Sequence, residues 1–162
     1  MKDISEFKTD IFTLFDRGWA LLTAGTKDHW NTMTVSWGAL GTLWEVPTAT
    51  VYVKPVRYTH EFMDACDRFT LAFFFGEHHG DLSLLGSQSG RNGDKVALTS
   101  LTPVEVEGGM SFKEAPLTLI CRKMYRHDLV RAALPRSAVQ KYYEREEPHT
   151  MYIGEVLGFV ER

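Results

Sequence analysis

The chain has 162 residues, of which 44% are hydrophobic and 24% are charged, and its formal net charge is −3. These values are typical of one folded domain with its own core, so we treat residues 1–162 as a single domain. The negative net charge argues against sequence-independent nucleic-acid binding, because such binding needs a basic surface that displaces counterions. The charged N-terminus does not resemble a secretory leader, and no apolar run reaches the length of about 20 residues that a membrane span needs. We therefore expect a cytoplasmic protein.

The first third of the chain predicts two helices and three strands. Residues up to about Phe15 favour a short helix. Segments 18–26 and 30–40 favour strands and flank a turn-like KDH sequence, so together they predict a hairpin. A β-branched third strand covers 47–55 and ends at a proline, which cannot continue a strand ladder. Segment 59–66 has apolar residues at helical spacing and predicts a second helix.

The rest of the chain alternates strands with two helical stretches. Apolar runs or alternation predict four more strands, at 68–75, 101–109, 115–130 and 150–162. Residues 82–95 predict a short helix that breaks into a glycine-rich loop, and 137–147 predict an exposed helix. The pattern is mainly β with inserted helices. It favours an antiparallel sheet closed into a barrel, because closure removes exposed strand edges.

A candidate anion site lies where the third strand gives way to the second helix. Thr59 is placed as an N-cap, and Arg57 comes two residues before it. A helix N-terminus has unpaired amide N–H groups, and a guanidinium suits bidentate phosphate contact, so the segment predicts a phosphate site. A capped helix whose arginine faces solvent is the alternative.

The loop SQSGRNGDK, residues 87–95, is a second candidate for phosphate contact. It combines two serines and two glycines with Arg91 and Lys95. Glycine lets backbone approach a ligand closely, while serine and lysine donate hydrogen bonds to phosphate. The residue order of a P-loop is absent, so no Walker-type site is predicted. An ordinary surface turn is the alternative.

The second predicted strand alternates hydroxyl and apolar side chains. Side chains alternate between the two faces of a strand. One face therefore carries Thr32, Thr34 and Ser36, and the other carries Met33, Val35 and Trp37. A row of hydroxyls suits solvent or the polar edge of a ligand better than it suits a core. Trp37 and Trp44 flank a glycine-spaced segment that can approach a flat ring.

The order of six segments resembles the flavin reductase-like family of FMN-binding split-barrel proteins, over about residues 18–160. The segments are NTMTVSWGALGTLW, VYVKPVRYTHEFM, FTLAFFF, GSQSGRNGDK, APLTLICRKMY and HTMYIGEV. The resemblance implies a split β-barrel homodimer with FMN in a cleft near the subunit interface. The cofactor-binding positions implied or suggested in this way are Thr32, Met33, Thr34, Val35, Ser36, Trp37, Lys54, Arg57, Tyr58, Thr59, Ser87, Ser89, Gly90 and Lys95.

The same resemblance implies that His149 faces the flavin or a nicotinamide; a strand-start residue at a dimer contact is the alternative. It implies an oxidoreductase that takes electrons from NADH or NADPH through FMN to a small-molecule or protein acceptor. A GxGxxG fingerprint is absent, so a nicotinamide would stack on the flavin in the open cleft. A flavoredoxin-like electron-transfer protein without a nicotinamide step and a flavin- or haem-binding protein are the alternatives. Cysteine and histidine spacing predicts no metal site.

Overall fold

The computed structural model describes all residues, 1–162, and contains nine strands, four short α-helices and four single-turn 3₁₀ helices. The strands are β1 Ala20–Thr26, β2 His29–Val35, β3 Gly38–Leu43, β4 Val46–Val53, β5 Arg68–Phe73, β6 Pro103–Val106, β7 Gly109–Phe112, β8 Leu117–Asp128 and β9 Thr150–Glu161. The helices are α1 Ile11–Asp16, α2 Tyr58–Ala65, α3 His79–Ser87 and α4 Arg136–Tyr142. The predicted mainly β class with inserted helices is confirmed. None of the helices is long and apolar enough to cross a membrane.

Seven strands form one antiparallel sheet in the order β2-β1-β5-β8-β9-β4-β3. The two edge strands, β2 and β3, follow each other in sequence but do not pair. Val35 is the last residue of β2 that pairs with β1, and Gly38 is the first residue of β3 that pairs with β4. The sheet is therefore not closed. The split barrel implied by the family resemblance is confirmed, whereas the closure that the strand pattern favoured is wrong.

The split falls inside the segment 30–40, which the sequence predicted as one strand. Ser36 and Trp37 leave the ladder there, and the chain restarts at Gly38 against a different neighbour. A side chain at Gly38 would lie 2.5–2.8 Å from carbons of the Phe15 ring, so the close approach of α1 requires glycine at this point. Alternation alone did not show this break.

Two other predicted boundaries differ from the structure. The segment 101–109 is only half of a separate β6–β7 hairpin, which turns at Gly108 with φ +86°. The helix predicted over 137–147 ends at Tyr142, because Tyr143 turns inward and is buried.

The core consists of two apolar clusters on opposite faces of the sheet. Successive residues of β1 alternate between them, with Leu22 in the larger cluster and Leu21 in the smaller. Phe62 anchors α2 in the larger cluster, and Leu85 anchors α3 in the smaller one. The start of α2 and the end of α3 are thereby brought to the same strand, β2.

Candidate functional site

A groove composed of three adjoining cavities follows β2. The aromatic pocket, of about 200 Å³, is lined by Met33, Thr34, Val35, Ser36, Trp37, Tyr52, Lys54, Arg57 and His149. The basic pocket, of about 40 Å³, is lined mainly by the start of α2 and the 85–95 segment, including Asn31, Met33, Arg57, Tyr58, Thr59, Gly86, Gln88, Ser89, Gly90 and Lys95. The outer pocket, of about 300 Å³, continues past Tyr58 and Lys95 to residues 28–32 and 93–96.

The aromatic pocket is bounded by Trp37 and His149. The Trp37 side chain is 38% exposed, and its ring centroid lies 5.2 Å from that of His149 and 5.1 Å from that of Tyr142. Burial, followed by the charges of Lys54 and Arg57, lowers the pKa of His149 to about 4. The imidazole is therefore neutral at neutral pH. A tryptophan face beside a neutral imidazole suits a flat, conjugated ligand.

The basic pocket contains two cations without acidic partners. Lys95 is only 6% exposed, and its Nζ donates to the backbone oxygens of Leu85 at 2.7 Å and Gln88 at 3.1 Å. Arg57 donates through Nη1 to the backbone oxygen of Gly86 at 3.0 Å. Burial, followed by the charge of Arg57, lowers the pKa of Lys95 to about 8.

Neighbouring cations are paired, in contrast to these two. Lys54 forms an ion pair with Glu146, and Arg91 forms one with Glu61. The ion pairs of the chain include neither Arg57 nor Lys95. Burying an ammonium group is costly without a counter-charge. The pocket therefore has the electrostatics of an anion site.

The position of Thr59 corrects the sequence interpretation. The residue preceding α2 is Arg57, which makes no side-chain cap, and Thr59 lies inside the first turn. Its buried Oγ1 accepts a hydrogen bond from Asn31 Nδ2 at 2.7 Å. The predicted N-cap is wrong because α2 begins at Tyr58 and its N-cap position is Arg57, two residues before Thr59.

Gly90 allows the glycine-rich loop to reach β2 and α2. A Cβ at this position would overlap Asn31 Oδ1 and would lie 3.2 Å from Tyr58 Cδ1. Only glycine leaves this contact undisturbed, so the loop is fitted against the basic pocket. The prediction that backbone in this loop approaches a ligand closely stays a prediction.

The first two hydroxyls of the predicted row hydrogen-bond within the protein, and their contact with a ligand stays a prediction. Thr32 is fully buried; its Oγ1 donates to the backbone oxygen of Leu22 at 3.2 Å and lies 2.9 Å from Thr23 Oγ1. The Thr34 hydroxyl donates to the backbone oxygen of Leu82 in α3. The Thr32 hydroxyl therefore connects β2 to β1, and the Thr34 hydroxyl connects β2 to α3. Ser36 has no such partner and lines the aromatic pocket.

The groove collects all but one of the predicted cofactor residues. The exception is Ser87, whose hydroxyl donates to the backbone oxygen of Leu84 at the end of α3. Trp44, which the sequence associated with a flat ring, lies exposed in the turn between β3 and β4. Whether the lining residues bind a cofactor stays a prediction.

Sequence reasoning missed several lining residues, of which Asn31 and Tyr52 matter most. Asn31 had a usable signal, since an amide in a strand that is otherwise core-forming must find partners when buried. It is 7% exposed and bonds to Thr59 and to the backbone oxygen of Thr32. No group of three histidine, cysteine or acidic side chains is arranged to hold a metal ion.

The fold and the groove define the class of protein: an open antiparallel barrel with a basic groove along an edge strand. The family model described as "Flavin reductase like domain" matches residues 12–162, and the chain belongs to this family. A comparison with curated proteins finds no significant match.

Three solved structures illustrate the similarity in fold. Flavoredoxin from Methanosarcina acetivorans shares 20% identity with a TM-score of 0.69, covering 97% of this chain and 74% of the other. An FMN-binding protein from Thermus thermophilus with bound p-hydroxybenzaldehyde shares 18% identity with a TM-score of 0.69, covering 100% and 81%. An NADH:FAD oxidoreductase from Streptomyces globisporus shares 16% identity with a TM-score of 0.68, covering 90% and 75%.

Proposed function

We propose that this chain binds FMN in the groove along β2, with the phosphate in the basic pocket. The observation that carries the proposal is the presence there of two unpaired cations, Arg57 and the buried Lys95. A phosphate dianion would supply the missing counter-charge and accept hydrogen bonds from both side chains. Thr59, Ser89 and the backbone at Gly90 line the same cavity and fit the remaining phosphate oxygens.

The other end of the groove fits a flavin ring. The aromatic pocket joins the basic pocket at Met33 and Arg57, so one ligand can occupy both. Trp37 and Val35 offer apolar contacts to a flat ring, and Lys54 and Arg57 place positive charge beside it. FMN, when bound, supplies hydride acceptance and onward electron transfer. The residues of this chain hold and orient it.

We further propose that the chain is an oxidoreductase that takes electrons from NADH or NADPH. Its family membership supports this, as does the fold it shares with a protein described as an NADH:FAD oxidoreductase. The partly exposed Trp37 leaves the aromatic pocket accessible to a second flat molecule. Anaerobic stopped flow is the test: NADH or NADPH should bleach the flavin absorption band, and failure of both would refute the nicotinamide step.

A flavoredoxin-like electron carrier is the second candidate, favoured by the shared fold of the Methanosarcina acetivorans flavoredoxin. In that case neither nicotinamide would bleach the band, while a reduced protein partner would. The FMN site itself is common to both candidates and would survive this result.

Arg57→Ala tests the phosphate site directly. Losing a hydrogen bond to a charged group costs about 1.5–3 kcal/mol, so we expect FMN affinity to fall about 10- to 100-fold. Riboflavin, which lacks the phosphate, should lose much less affinity than FMN, because only the contact between Arg57 and the ring is affected. Arg122→Ala is the charge-matched control, because Arg122 pairs with Glu155 outside the groove. Equal losses for FMN and riboflavin would contradict phosphate binding at Arg57.

We also propose a homodimer with the groove near its interface. The pairing of β5 with β8 ends at Arg122, which leaves residues 125–128 of β8 paired with β9 alone. Tyr125 is 40% exposed on this stretch and stacks on His127. Asp128 pairs with Thr150, next to His149. Light scattering should give twice the mass of one chain, and Tyr125→Glu should shift it towards the monomer.

A further inference from the structure

The two ring nitrogens of His149 have different environments. Nδ1 lies 2.9 Å from the hydroxyl of Tyr143, whereas Nε2 has no partner within the chain. No buried side-chain nitrogen or oxygen of this protein lacks a hydrogen-bond partner, so Nε2 must be reached from outside. His149 is only 9% exposed and lines the aromatic pocket. The accessible nitrogen therefore opens into that pocket.

The surroundings of Tyr143 decide which nitrogen carries the proton. Burial raises the pKa of Tyr143, although a hydrogen bond from the His149 backbone acts to lower it. The hydroxyl therefore keeps its proton. This hydroxyl has one side-chain partner, His149 Nδ1. If Nδ1 also carried a proton, the buried O–H would have no acceptor. A neutral imidazole has one N–H group, which is therefore on Nε2.

We propose that Tyr143 fixes His149 in the Nε2–H tautomer, and that His149 thereby donates a hydrogen bond to a carbonyl oxygen of the second substrate in the aromatic pocket. The second half of this inference rests on the proposed function. Tyr143 is a positioning residue, since it acts only through the imidazole.

A conjugated carbonyl compound is the chemical class that fits this donor. The imidazole is held neutral beside Lys54 and Arg57, so it offers a hydrogen bond without adding a third positive charge. A carbonyl oxygen conjugated to a ring carries partial negative charge, and its ring can lie against Trp37. An aromatic aldehyde or a carboxamide on an aromatic ring meets both requirements.

The tautomer can be measured on the chain without any flavin. In ¹⁵N-labelled wild type, long-range ¹H–¹⁵N spectra should show a protonated Nε2 and an unprotonated Nδ1 for His149. Tyr143→Phe keeps the buried ring but removes the hydroxyl, and should give a mixture of tautomers. Tyr142→Phe, the adjacent control, should match wild type. A proton on Nδ1 in wild type, or an unchanged tautomer in Tyr143→Phe, would overturn the role of Tyr143.

The donor role is measured on FMN-loaded protein with p-hydroxybenzaldehyde as the probe. His149→Phe should weaken aldehyde binding about three- to tenfold, as expected for one neutral hydrogen bond. Tyr143→Phe should weaken it about two- to fivefold, and Tyr142→Phe should leave it unchanged. Measuring the FMN affinity of each variant separates the two proposals. Wild type that fails to bind FMN refutes the proposed function. If FMN-loaded wild type does not bind the aldehyde, or if His149→Phe binds it with unchanged affinity, the carbonyl contact alone is overturned.

Discussion

Lys95 gives the sharpest prediction, because its ammonium group is buried without a counter-charge. A pKa lowered from 10.5 to about 8 corresponds to about 3 kcal/mol of unfavourable charging in the flavin-free fold. The sign follows from the folded value lying below the unfolded one. The cost is fully present below about pH 8, and it is relieved as the pH rises from there towards 10.5. Flavin-free Lys95→Met should therefore unfold at a higher denaturant concentration than wild type at about pH 7. Its free energy of unfolding should be higher by about 1–3 kcal/mol.

The same group should make FMN binding depend on pH. A bound phosphate favours the charged ammonium, so FMN should bind the protonated form of Lys95 preferentially. With a pKa of about 8, the protonated fraction falls about tenfold between about pH 7 and about pH 9. FMN affinity should fall by about the same factor over this range.

Fluorescence-quenching titrations can measure this effect, with riboflavin as the matched ligand. The ratio of the riboflavin and FMN dissociation constants removes pH effects on the shared ring and isolates the phosphate. In wild type this ratio should fall about tenfold between about pH 7 and about pH 9, and in Lys95→Met it should be low and flat. A flat ratio in wild type, or a wild-type slope in Lys95→Met, would show that Lys95 does not bind the phosphate.

Two further predictions concern the packing around the site and the stability of α2. Gly90→Ala should push the Asn31 amide away from Thr59, so we expect FMN affinity to fall at least tenfold in calorimetric titrations. The control is the distant substitution Gly41→Ala, whose added methyl group meets no atom within 4 Å and should have no effect. Tyr152→Phe removes the hydroxyl that donates to Asp64 Oδ1 at 2.6 Å, and should cost about 1 kcal/mol in urea unfolding at neutral pH. Burial alone would raise the pKa of Asp64, but the Tyr152 hydroxyl and nearby cations lower it below its ordinary value. The loss should therefore disappear as the pH falls through the acidic range where Asp64 is protonated; a loss that persists there would point to packing instead.

The sequence predicted the parts of the fold that local pattern controls. Alternation and proline placement located the paired regions of β1, β4, β8 and β9, and helical spacing located α2. It could not predict the interruption at Ser36 and Trp37, because both residues continue the period-two pattern of β2. Gly38, where the chain restarts, packs against Phe15 of α1, and this contact between separate segments has no local signal in the sequence.

The site was predicted in the same uneven way. Residue type and family resemblance together selected Arg57, Gly90 and Lys95, which the fold brings into one cavity. The roles of individual hydroxyls were harder to predict, since a threonine on a strand face can bind a ligand or a neighbouring backbone carbonyl. The Thr32 hydroxyl donates to the backbone oxygen of Leu22 in β1 and that of Thr34 to the backbone oxygen of Leu82 in α3, and the sequence contains no local sign of either contact.

The pairing of charges, rather than their number, identifies the candidate site. The sequence contains 18 basic and 21 acidic residues, and its one short group of cations, at 122–126, lies outside the groove. Folding brings Glu146 to Lys54 and Glu61 to Arg91, and so removes two nearby cations from competition for an anion. Lys95 is buried against backbone carbonyls instead, where its charge is destabilising until an anion arrives. The free energy lost by leaving that charge unpaired can then contribute to the binding of a phosphate.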